Sequence, residues 1–187
     1  ATFERLVKGQ IHETVGPRPG VDPVEHYLSV LADKTGSLIA TAALFGARYA
    51  GVDPGVTEQL RLFGEHIGVA FQLSDDILDI ASDSTESGKT PGTDLREGIA
   101  TLPVLYALRS SEPGDARLRE LVGAAITDDD EHAEALALLR KSAALDAARA
   151  TLAGYADTAR VMLADLPDVA ARAAFEALTY TVLERTG

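Results

Sequence analysis

From Thr57 to Ser82 the chain runs without a proline, and only Gly64 and Gly68 interrupt residues that favour a helix. That run predicts one helix of about seven turns, capped by Thr57 with Glu58 behind it. A helix of this length is the natural centre of a helical bundle. Alanine and leucine dominate the rest of the chain, aromatic residues make up only 5%, and β-branched runs of strand length are scarce. The expected fold class is therefore all-α, and 187 residues suffice for one core, so a single α-helical domain over 1–187 is expected.

Punctuation residues divide the remainder. A helix over residues 1 to 14 is stopped by GPRPG at 16 to 20, where prolines and glycines cannot continue it. Asp22 followed by Pro23 opens the next helix, which runs to Lys34, and another spans Thr35 to Ala50 before Gly51 and the turn Asp53-Pro54-Gly55. Residues 83 to 103 are rich in Gly, Ser, Thr, Asp and Pro and read as a long loop, a length that in compact domains usually serves a function. Further amphipathic helices are expected over 101 to 110, 114 to 124, 128 to 140 and 142 to 165, with a last one from Asp168 to Glu184.

Charge and composition exclude several classes. Asp plus Glu number 29 against 17 Lys plus Arg, a net charge of -12 that opposes the phosphate backbone, so no nucleic-acid partner is expected. No run of consecutive apolar residues reaches the span of about 18 that a membrane helix needs, and ATFERLVKGQ is neither a signal nor a transit peptide, which leads to an expected cytoplasmic location. Cysteine is absent, which removes disulfides and thiolate chemistry together. The first residue is Ala, and TFERLVKGQIHE reads as the inside of an amphipathic helix, as in a chain that is part of a longer one.

The chemistry concentrates in FQLSDDILD, residues 71 to 79. On a helix Gln72, Asp75, Asp76 and Asp79 share an arc of roughly 100°, while Ile67, Ala70, Phe71, Leu73, Ile77 and Leu78 fill most of the rest. Three carboxylates this close repel one another, and burying them bare costs several kcal/mol each. Oxygen-only ligands point to magnesium (Mg²⁺), which usually keeps positions for water and substrate phosphates. A phosphate-bearing ligand is therefore expected. Lys89 in SGKTPG, with Gly88 and Gly92 allowing close approach, and Arg96 in DLREG supply matching groups, and Lys34 with Thr35 offers a cation and a hydroxyl upstream. By contrast DDDEHAEAL, from 128, reads as a solvated helix start, where the dipole favours carboxylates. The histidines at 12, 26, 66 and 132 show no metal-ligand spacing and read as surface or satisfied core residues, and Ser74 lacks a nucleophile elbow.

Taken together, GQxxE (9 to 13), KTG (34 to 36), FQLSDDILD (71 to 79) and GKTPGTDLREGIATLP (88 to 103) resemble the C-terminal half to two-thirds of trans-type polyprenyl diphosphate synthases. The resemblance implies an isoprenoid-synthase-type helical bundle, here incomplete at its N-terminal side. It implies that Asp75, Asp76 and Asp79, which match the second of the family's two aspartate-rich motifs, bind Mg²⁺ bridging to an allylic diphosphate. It implies further that Lys34 and Lys89 contact diphosphate oxygens and that Thr35 and Gln72 face the reacting carbons. The implied substrates are isopentenyl diphosphate and an allylic prenyl diphosphate, and the implied product is a prenyl chain bound for membranes. The physics agrees, since a metal offsets charge on the leaving diphosphate and an apolar cavity protects a carbocation from water.

The chain departs from the family in three ways. No other DDxxD or DDxxxxD occurs in residues 1 to 66, Ile99 stands where the family usually has Lys, and Gly36 stands where it has Ala. The first departure predicts that these 187 residues alone do not catalyse condensation, and that an apolar surface left by missing helices drives self-association, a homodimer included. A non-catalytic partner subunit and a terpene cyclase are the competing readings.

Overall fold

The computed structural model describes residues 2–82 and 91–186, and no strand occurs among them. The helices are α1 Thr2–Val15, α2 Pro23–Leu31, α3 Ser37–Tyr49, α4 Pro54–Ala81, α5 Thr93–Glu97, α6 Leu102–Arg109, α7 Ala116–Leu121, α8 Asp129–Arg140, α9 Ala143–Leu163 and α10 Ala170–Glu184. A π-helical turn, Ala32–Gly36, joins α2 to α3, and a 3₁₀ turn, Pro113–Asp115, leads into α7. The chain gathers into two compact units, residues 2–72 with 152–185 and residues 73–151 with Thr186, and both α4 and α9 run through the division.

In the first unit the caps follow the sequence. Gly16, at φ 77°, ends α1 and donates its N–H to the His12 carbonyl, while the Asp22 carboxylate accepts the Val24 N–H at 2.8 Å with Pro23 opening α2. The Asp53-Pro54-Gly55 turn, expected to precede the long helix, instead starts it: Asp53 Oδ1 accepts the Gly55 N–H at 2.7 Å, which places Pro54 in the first turn and leaves Thr57 buried inside. The junction KTGSL, expected to separate two helices, is continuous helix with one π turn. By length and composition alone Pro23–Tyr49 could cross a membrane, but it carries Asp33 and Lys34, both ion-paired within this unit.

Gly64 and Gly68 are not weak points of α4. A Cβ on Gly64 would lie 2.9 Å from Ala40 Cα and one on Gly68 2.9 Å from Gly36 Cα, so the two glycines let α4 meet the π turn and α3 backbone to backbone. Phe63 packs on Phe175 of α10 at 5.2 Å between ring centroids, and Gln59 donates to the Met162 carbonyl of α9 at 2.6 Å. Ile67, Ala70, Leu152, Ala156, Ala159, Leu163 and Val182 complete this core. An aromatic pair of that kind adds about 0.5–1.5 kcal/mol beyond its buried area.

The second unit is built on the last turns of α4. Leu73, Ile77 and Ile80 are wholly buried, as are Leu102, Leu139 and Leu145. Arg140 of α8 donates to the carbonyls of Ile80 and Ser82 at 2.7 Å each, satisfying groups at the end of α4 that no helix bond can reach. The expected loop over 83 to 103 is corrected at its far end, where α5 forms between Gly92 and Gly98, both at positive φ, and α6 opens at Leu102. Asp128 caps α8, accepting the N–H groups of Asp130 and Glu131 at 2.9 and 3.0 Å, as the solvated acidic start predicts.

Candidate active site

The π turn, placed where the sequence suggested a break between helices, presents two of the predicted residues. Such turns change the helical register locally and are frequent at functional sites. Lys34 sits on it and donates to Glu13 Oε2 at 2.5 Å, and Thr35 donates from its hydroxyl to Gln72 Oε1 at 3.2 Å. The motif GQxxE acquires a physical meaning here. A Cβ on Gly9 would lie 2.9 Å from Asp33 Cβ and 3.0 Å from Lys34 Cγ, so only glycine lets α1 lie against the turn. Gln10 then donates to Glu13 at 2.8 Å, and Glu13 receives Lys34. Nothing local in the motif reveals this pairing, which joins α1 to the π turn.

Behind the turn lies a charge network. Arg5 donates to Asp33 at 2.8 Å, to the Ala32 carbonyl at 3.2 Å and to Glu65 at 2.7 Å, and Arg61 reaches Glu65 from the other side at 2.9 Å. The Arg5 hydrogen bond, assisted by Arg61, holds the Glu65 carboxyl below the ordinary carboxylate range. The network fixes the first turn of the π segment to α1 and α4.

In the second unit α4 carries the three aspartates among wholly buried neighbours. Asp76 is only 6% exposed, and Asp75 and Asp79 are half-buried, so a freely solvated acidic face is ruled out for this segment. Asp79 has a distinct environment: its Oδ1 accepts the Thr93 N–H at 3.1 Å, its Oδ2 the Asp94 N–H at 3.2 Å, and its backbone carbonyl the Gly92 N–H at 2.7 Å. The start of α5 is thus tied to the end of the acidic seam. Among the described residues no three acidic or imidazole groups converge closely enough to cage an ion. Carboxylate oxygens of this kind fit Mg²⁺ held by one or two protein ligands with water and phosphate oxygens completing its shell, rather than a closed protein site.

Lys89, with Gly88, lies outside the described residues. Arg96, expected as a phosphate-matching group, instead donates to the carbonyls of Thr127 and Asp128 and pairs with Asp129 at 2.5 Å, binding α5 to the start of α8. A groove of about 570 Å³ between α1 and α2, lined by Lys8, His12, Arg18 and His26 among others, contains none of the predicted site residues.

Residues 1–139 match the model of the polyprenyl synthetase family. The whole chain is 50% identical to the nonaprenyl diphosphate synthase of Mycobacterium tuberculosis, spanning 56% of that protein. The chain belongs to the polyprenyl synthetase family. A second relative, a dimethylallyltranstransferase from the same organism, is 43% identical over 94% of this chain and 53% of its own length. The family fold is equally plain. A geranylgeranyl pyrophosphate synthase from Corynebacterium glutamicum, solved with calcium and isoprenyl diphosphate, matches at a TM-score of 0.91 and 44% identity, covering all of this chain and 58% of that one. A polyprenyl synthase from Caulobacter crescentus, also solved with calcium and isoprenyl diphosphate, matches at a TM-score of 0.87 and 34% identity, covering all of this chain and 57% of that one. The chain spans about half the length of the curated relatives it matches. The all-α isoprenoid-synthase fold expected from the motifs is the fold observed.

Proposed function

We propose that this chain supplies one wall of the active site of a prenyltransferase that condenses isopentenyl diphosphate with an allylic diphosphate. The observation that carries the reading is Asp76, a carboxylate 6% exposed on a helix whose flanking Leu73, Ile77 and Ile80 are wholly buried. Three carboxylates within about one helical turn of one another repel, and a cation beside the seam offsets that repulsion. Asp75, Asp76 and Asp79 would furnish the carboxylates that hold Mg²⁺ together with water and phosphate oxygens, and the ion would offset the charge that builds on the leaving diphosphate. The two similar structures that contain calcium with isoprenyl diphosphate support a divalent cation in this role.

The protein's own groups take the remaining tasks. Lys34, held at a fixed place by Glu13, and Lys89 neutralise diphosphate oxygens. Thr35 and Gln72, joined at 3.2 Å, present a hydroxyl and an amide dipole toward the allylic cation that forms as the carbon–oxygen bond breaks. The double bond of isopentenyl diphosphate attacks that cation and a proton is then lost. Apolar neighbours keep water from competing.

Because the first of the family's two aspartate-rich motifs does not occur in residues 1 to 66, we expect the 187-residue polypeptide alone to be inactive. Its α1 also presents Phe3, Val7, Ile11 and Val15 at four-residue spacing, 75, 41, 55 and 73% exposed, a stripe suited to self-association into a homodimer. Sedimentation should show a species larger than a monomer. The functional test is incorporation of labelled isopentenyl diphosphate. It should be absent with this polypeptide alone and appear when the polypeptide is joined to the half of the M. tuberculosis nonaprenyl diphosphate synthase that it does not span. A folded chimera with no Mg²⁺-dependent incorporation would count against the prenyltransferase reading.

A further inference from the structure

We propose that His132 of α8 is a positioning residue that sets the carboxylate of Asp79 through Gly92, an inference that rests on the metal-binding reading of the acidic seam. His132 is 6% exposed, and its Nε2 lies 2.9 Å from the Gly92 carbonyl oxygen. A carbonyl only accepts, so Nε2 must carry the ring proton and donate it. The ring also sets the backbone it touches: Gly92 is at φ 74°, and a Cβ there would lie 2.6 Å from His132 Nε2 and 3.0 Å from Leu136 Cδ2. No side chain fits beneath α8 at that point.

Gly92 faces both ways. Its carbonyl is taken by His132, and its N–H donates to the Asp79 carbonyl at 2.7 Å. With Gly92 held from both sides, the next two N–H groups, of Thr93 and Asp94, meet the two oxygens of Asp79 at 3.1 and 3.2 Å. Each oxygen spends one lone pair on an amide and keeps another for a cation, the arrangement by which outer hydrogen bonds orient a metal-binding carboxylate. The far end of α5 is tied separately, by the Ile126 N–H to the Leu95 carbonyl at 3.0 Å and by Arg96 to Thr127 and Asp129. His132 is thus the tie at the end that faces Asp79.

The test uses the 187-residue chain and NMR. In the wild type the ring ¹⁵N shifts report the tautomer of His132 directly: Nε2–H is required, and Nδ1–H would overturn the proposal. His132→Leu fills the space without a donor, and His132→Gln keeps one. His132→Leu should speed amide exchange at Thr93 and Asp94 by about tenfold or more relative to the interior of α9, and weaken Mn²⁺ binding, read by broadening near Asp79, by about tenfold. His132→Gln should restore much of both. Folded His132→Leu with unchanged exchange, or folded His132→Gln behaving like the leucine variant, would overturn the proposal. If the wild type binds no Mn²⁺, the metal-binding reading fails, while the tautomer and the exchange rates still decide whether His132 sets Asp79.

Discussion

Gly68 of α4 meets Gly36 of the π turn so closely that a methyl group on Gly68 would lie 2.9 Å from the Gly36 Cα and 3.2 Å from the Ile39 side chain. Gly68→Ala should therefore destabilise the chain by about 1–3 kcal/mol, despite a gain of about 1 kcal/mol in helix propensity. Gly36→Ala, whose nearest contact would be the Glu65 carbonyl at 3.1 Å, should cost less. Urea denaturation of both variants checks the order. A Gly68→Ala variant as stable as wild type would mean that the helices move apart freely.

The Arg5–Glu65 pair predicts an acid-sensitive contribution to stability. Hydrogen bonding by Arg5 lowers the Glu65 carboxyl below its ordinary value of 4.5. A lowered folded-state pKa stabilises the fold above the unfolded value, and that contribution is lost as pH falls from about 4.5 through the depressed value. Glu65→Gln should flatten this part of the stability curve, and Arg5→Ala should cost about 1 kcal/mol at neutral pH, a modest figure because the Arg5 side chain is 36% exposed. Thermal midpoints measured across the acid range up to neutral pH test both.

Asp128 accepts two N–H groups at the start of α8, the helix that carries His132. Asp128→Ala should lower stability by about 1 kcal/mol, and Asp128→Asn should retain most of the cap. Equal denaturation curves for wild type and Asp128→Ala would show that the cap contributes nothing.

Local signals made most helices legible. Asp22 with Pro23 starts α2 where the capping pattern puts it, Gly51 follows the end of α3, and the apolar period through Ile67, Leu73 and Ile77 marks the buried side of α4. The acidic seam was legible because three carboxylates stand out against apolar neighbours. What escaped the sequence depends on partners far along the chain. Gly64 and Gly68 read as weak helix positions because the backbone they admit, at Ala40 and Gly36, comes from another helix. Arg96 read as a phosphate ligand because its partners, Thr127 to Asp129, lie far along the chain in another helix and the turn before it. His132 had one available signal: with Ala135 and Leu139 it follows the inward period of α8, although nothing local reveals that it faces Gly92.

If the aspartates of α4 bind a diphosphate through Mg²⁺, the thermal midpoint of the 187-residue chain should respond to inorganic diphosphate with Mg²⁺ and not without it. Mg²⁺ and diphosphate together should raise the midpoint by several degrees, since ligand at about a hundred times its dissociation constant adds about 2.7 kcal/mol, whereas neither alone should do so. The rise should vanish in the Asp75→Asn, Asp76→Asn double variant. A rise that needs no Mg²⁺, or that survives in the double variant, would contradict the account.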